Sequence, residues 1–270
     1  MSQATHIVGS DGEENYHILP PSHWPILSSI GIFLTFAGTV LWMHGVTVWL
    51  FWAGMVLLCY SAFSWFADII TEAQNEEHSN VVRIGLRYGF ILFIISEAMF
   101  FVALFWSVFH NIFVPAGGTW PPENIVTFSP WDLPLLNTLI LLTSGTTCTW
   151  AHYALLENDR NSFEKALTIT CLLGLVFTLM QGFEYMHAPF SFQEEVFGSI
   201  FVMITGFHGL HVIMGTAMLF ICLLRSRKGH MNANVHIGFE TAAWYWHFVD
   251  IIWIMLFFVV YIAGAGNASH

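Results

Sequence analysis

Seven long apolar runs divide this chain, and all seven of its basic residues fall in alternate breaks between them. Arg83 and Arg87 flank the second break, Arg160 and Lys165 the fourth, and Arg225, Arg227 and Lys228 the sixth. The amino-terminal tail, the first, third and fifth breaks and the carboxyl terminus carry no Lys or Arg. Cationic loops resist translocation, so this bias orients a polytopic chain with the basic breaks inside. Seven crossings then put the amino terminus inside and the carboxyl terminus outside. The pattern also checks the span count, because one missed helix would scatter the charges over both faces. The expected fold is an all-α polytopic membrane protein with seven transmembrane helices.

Composition agrees. At 56% hydrophobic and 9% charged over 270 residues, the chain has too little polar surface for a soluble globule. A net charge of −11 supplies no basic footprint for nucleic acid. Cys59, Cys148, Cys171 and Cys222 lie singly in four spans without CxxC spacing, and read as buried thiols rather than ligands or disulfides. The first 23 residues lack a basic n-region and a small-residue cleavage site, so no removable signal peptide is expected.

The spans read as 24–43, 46–67, 83–113, 135–156, 166–187, 195–224 and 238–264. The polar stretch 68–82 is the one plausible hinge between sub-bundles. The expected organisation is a polar inside tail (1–23), a two-helix bundle (24–67), an inside loop (68–82), a five-helix bundle (83–264) and an outside tail (265–270).

Ionisable groups at membrane depth are the default functional suspects, because each is costly to insert. Glu97 is the clearest, standing near the middle of span three with no basic residue within a helical turn. Desolvation without a counter-ion favours the neutral acid. It is either a proton-handling carboxyl or a neutral acid bonded to a neighbouring helix. Glu184/His187, His208/His211 and His247/Asp250 are each spaced three apart, so each pair shares a helix face. They read as polar groups satisfying one another or bridging helices; haem ligation is the sharper alternative, but the histidines align poorly in depth.

Trp65, Asp68, Glu72 and His78 cluster at and after the inside end of span two, and Arg83, Arg87 and Arg225 lie at the same membrane face. Arg beside interfacial Trp suits an anionic or zwitterionic lipid head group, though positive-inside anchoring alone places the same residues there. Ser144, Gly145, Thr146 and Thr147, with Gly206, Gly209 and Gly215, suit close helix crossings. The chain contains no Walker loop, dinucleotide fingerprint, CxxCH or His-rich array.

Residues 91–106 (ILFIISEAMFFVALFW), 206–215 (GFHGLHVIMG) and 238–251 (GFETAAWYWHFVDI) closely resemble subunit III of the cytochrome c oxidases. Residues 120–122, 134–138 and 149–152 fit the same family, and the likeness covers about residues 16–264. The related quinol oxidase subunit typically has five spans, and seven here favour the cytochrome c enzyme. The resemblance implies an accessory, cofactor-free subunit, with haem and copper held by partner subunits. It implies a V-shaped, phospholipid-filled cleft between helices I–II and III–VII, and subunits I and II as partners, with cytochrome c reached through the complex. Glu97 matches the family's carbodiimide-reactive carboxyl. The expected lipid-binding set is Trp65, Glu72, His78, Arg87 and Arg225. A role in sustained proton uptake and turnover stability is implied, in a bacterial cytoplasmic or mitochondrial inner membrane. Rival readings are a proton channel or transporter centred on Glu97 and a haem-binding membrane reductase.

Overall fold

A computed structural model describes residues 21–75, 80–115, 118–122, 125, 127–188, 190, 196–231 and 236–264, with the backbone alone at 5–8 and 14–18. Among these, seven helices follow a short antiparallel hairpin of β1 (Thr5–Val8) and β2 (Glu14–Ile18). The hairpin occupies what the sequence presents only as a polar tail. The helices are α1 (Trp24–Met43), α2 (Trp49–Gln74), α3 (Asn80–Phe113), α4 (Leu133–Leu156), α5 (Arg160–Met186), α6 (Val196–Arg227) and α7 (Ile237–Leu256). A π-helical stretch, Phe257–Ile262, continues α7. Helix α2 runs on through Gln74, so the first half of the expected 68–82 loop is helical.

Six of the seven helices are long and apolar enough to cross a membrane; α4 is not among them. The reason is chemical. Its run holds Thr138, Thr143, Ser144, Thr146, Thr147 and Thr149. Each of these six hydroxyls donates to a backbone carbonyl three or four residues back, which satisfies it within the helix.

The chain forms two compact units, Met1–Leu86 and Arg87–His270, dividing inside α3. In the first, α1 and α2 pack antiparallel along small residues. A Cβ on Gly38 would collide with the Phe51 nitrogen, and one on Gly54 with the Thr35 nitrogen. Ser28 and Ser61 meet at 3.1 Å in the same register. Gly31 and Gly38 on α1, like Gly54 and Ser61 on α2, stand seven residues apart, the repeat of a left-handed crossing. The outer faces of both helices stay exposed, Cys59 included, which corrects the expectation that all four thiols are buried.

In the second unit α7 is the central helix, with 61% of its most apolar window buried against 11% for α1 and α2. Trp246 donates its indole N–H to Ser144 at 3.0 Å, and Trp253 donates to Thr138 at 2.9 Å, pinning α7 to α4. The Trp246 ring lies against Gly174 of α5 and Gly215 of α6, where a Cβ would approach within 2.7 and 2.9 Å. Gly209, also expected at a crossing, meets nothing. Helix α3 approaches α6 and α7 through long side chains such as Phe93 and Phe101.

Candidate functional site

Glu97 stands at the midpoint of α3, with α6 supplying the partner that its own helix lacks. Its Oε2 lies 3.0 Å from Nε2 of His211, 114 residues further along the chain. The other ring nitrogen, Nδ1, lies 2.6 Å from the carbonyl oxygen of Phe207, one turn back on α6. A carbonyl only accepts, so Nδ1 carries a hydrogen, and the neutral ring then offers Nε2 as an acceptor. The contact with Glu97 therefore holds one proton, on the acid or on the ring, and is neutral overall in either form.

Aromatic rings wall the imidazole in. Phe101 meets it edge-on at 4.9 Å, while Phe100 and Tyr245 stack at 6.3 and 6.2 Å. The His211 side chain is 10% exposed and that of Glu97 25%, so the acid keeps one open edge and the ring does not.

The sequence pattern paired His208 with His211; the structure separates them. His208 turns the other way, into the core, against Trp253 and Phe177. Glu184 and His187 also part. His187 bonds the Phe183 carbonyl at 2.9 Å and lies over the Phe183 ring, while Glu184 is fully buried. His247 and Asp250 do come together at 3.7 Å, beside Gly145 of α4.

The basic residues divide between the units. Trp65 is exposed on α2, and Glu72 follows two turns later on the same helix. His78 lies outside the described residues. Arg87 donates from Nε and Nη2 to one oxygen of Glu240, at 3.0 and 2.8 Å. Glu240 sits in the first turn of α7, where the helix dipole favours a carboxylate. Two of the five guanidinium N–H groups are thereby committed. Arg225, near the end of α6, lays its guanidinium over Gly238, where a Cβ would approach within 2.8 Å. Its Nε is buried without a partner. At the same end, Glu164 accepts from Arg160 at 2.8 Å and from Ser226 at 3.1 Å, tying α5 to α6.

Sequence reasoning missed His211 as the partner of Glu97 and Glu240 as the partner of Arg87. Neither pair is local, and no helical spacing announces it. Among the described residues, no three His, Cys, Asp or Glu side chains converge as a metal set.

The family described as cytochrome c oxidase subunit III matches residues 14–265. The subunit 3 of Arabidopsis thaliana is 49% identical over 253 residues, covering 92% of this chain and 96% of the relative. That of Salmo salar is 47% identical over 250 residues, covering 91% and 96%. That of Drosophila melanogaster is 45% identical over 250 residues, covering 91% and 95%.

Proposed function

The chain belongs to the cytochrome c oxidase subunit III family, and from that premise we propose that it is an accessory, cofactor-free subunit of a proton-translocating oxidase. It packs beside the haem- and copper-bearing subunit I and subunit II, in a bacterial cytoplasmic or mitochondrial inner membrane. Cytochrome c, O2 and the redox centres are handled by those partners. The chain crosses seven times with its basic breaks inside. The internally satisfied hydroxyls of α4 support counting that helix among the spans. A phospholipid-filled cleft is part of the same reading. This subunit sustains proton uptake and protects the enzyme from inactivation during turnover.

One observation carries the reading furthest. On its His211 side the Glu97–His211 pair leads nowhere: its hydrogen bonds end at the Phe207 carbonyl, and aromatic rings surround the imidazole. A proton wire needs a next polar group to hand on to, whereas a pair that ends at a helix carbonyl suits a proton held in place. That weighs against a channel centred on Glu97, for which flux through the reconstituted chain, abolished in Glu97→Gln, would be the sign.

Arg225, Arg87, Trp65, Glu72 and His78 are proposed to hold phospholipid head groups at the inner face. The open donors of Arg225 and the uncommitted N–H groups of Arg87 suit phosphate.

The test is made on the purified oxidase. Removing this chain should leave the first turnovers near their normal rate while proton uptake slows and the enzyme inactivates sooner. An unchanged lifetime and uptake rate would refute the accessory role. Arg225→Ala should lower lipid occupancy in native mass spectra of the same complex, and undiminished occupancy would remove Arg225 from the lipid site.

A further inference from the structure

The core of the second unit contains more hydrogen-bonding groups than its side chains can pair. Asn137 on α4, Glu184 on α5 and His208 on α6 are fully buried, and Gln181 on α5 nearly so. Both amide atoms of Asn137, both carboxyl oxygens of Glu184, both ring nitrogens of His208 and Oε1 of Gln181 lack a hydrogen-bond partner. Buried polar groups are paired in the large majority of cases, so seven orphaned atoms on four residues demand a cause.

Three of these residues gather around Trp253 and Tyr261. Trp253 lies 5.0 Å from the His208 ring, 4.7 Å from Phe177 and 5.9 Å from Tyr261. The Trp253 indole N–H is already committed to Thr138, the residue after Asn137. The Tyr261 hydroxyl stands 3.5 Å from Gln181 Nε2 and adjoins the Glu184 carboxyl.

Turning the Gln181 amide does not remove the shortfall. A phenol has one hydrogen to donate. Turning the Gln181 amide over would give Oε1 that hydrogen and withhold it from Glu184. His208 and Asn137 would still stand unpaired, each needing both a donor and an acceptor. A small molecule that both donates and accepts is therefore required, and each group here can take either role or an acceptor role toward it.

We propose that Gln181, Glu184, His208 and Tyr261 form a binding site for internal water in the core of the second unit. At about three hydrogen bonds per buried water, the five orphaned atoms of these residues correspond to about two molecules. The site is distinct from the Glu97–His211 pair, since His208 and His211 face different neighbours on α6. It does not depend on the function proposed above.

The experiment is X-ray-pulse hydroxyl-radical footprinting of the native membrane complex, in which bound water generates the radical where it sits. Trp253 and Trp246 make a matched pair, because both are fully buried tryptophans with a bonded indole N–H. The site predicts labelling of Trp253, and of Tyr261 beside it, several-fold faster than labelling of Trp246. Equal rates at the two tryptophans would overturn it. In the double variant Gln181→Leu/Glu184→Leu, Trp253 labelling should fall to the Trp246 rate; labelling that persists unchanged would overturn the assignment of these groups as the water's partners. Should that variant fail to assemble, the comparison within the native complex decides alone.

Discussion

Glu97 and His211 share a single proton, and its position is the sharpest question at the residue scale. Two separated charges at bilayer depth would need more solvation than one contact gives, so the neutral acid donating to Nε2 is the expected form. Infrared difference spectra should then contain a carboxylic-acid band that vanishes in Glu97→Gln and moves to higher wavenumber in His211→Leu, where the acid loses its acceptor. A carboxylate signature in place of that band would refute the neutral form. At the start of α5, Asp159 caps the helix, its carboxylate accepting from the Ser162 amide at 3.1 Å. The hydrogen bonds from Ser162 hold this carboxyl below the usual carboxylate range. A depressed value means that the cap's stabilisation is present above the unfolded value and is lost as pH falls through the folded one. The Ser162 amide should therefore exchange faster on acidification into that range, and at all pH values in Asp159→Ala. Exchange indifferent to both would show that the first turn holds without the cap.

At the scale of elements, α1 and α2 stay together by backbone approach, and α4 to α7 by indole pins. These are different solutions to one problem, since lipid offers no hydrophobic drive for helices to associate. Where Gly38 faces Phe51, even one methyl group has no room. Gly38→Leu should push α1 from α2 and destabilise the pair by at least about 1–3 kcal/mol, the usual cost of overpacking. Loss of an engineered disulfide between the two helices in the variant, against its formation in the parent, would read this out. Efficient disulfide formation in Gly38→Leu would contradict the close crossing. Around α7, Trp246 fills the space left by two glycines on different helices and also bonds a third helix, so one residue fixes three neighbours. Helix α4 is the converse case, the least apolar of the seven runs yet satisfied within the helix at each Thr and Ser hydroxyl.

For the whole molecule, the distribution of seven cations carries the proposed topology, with the basic loops in one aqueous compartment. Cysteines introduced at either end should react with impermeant reagents from opposite sides of sealed vesicles; labelling of both ends from one side would defeat the seven-span reading. How much of this was legible beforehand follows from how far each signal travels along the chain. Helix α1 begins and ends where its apolar run does, and Glu97 stands out because a charge in hydrocarbon is conspicuous in any window. The hairpin in the tail and the helical extension of α2 escaped, because neither carries a long apolar period. Linear order thus determined the helices and the suspicion attached to one acid. Only the tertiary structure decided that His211 rather than His208 answers that acid, that Glu240 holds Arg87, and that Glu184 and His208 face a core without enough partners. The physical reason is that hydropathy and charge act on a residue wherever it sits, whereas a hydrogen bond between helices depends on rotation and depth, which sequence spacing within one helix does not fix.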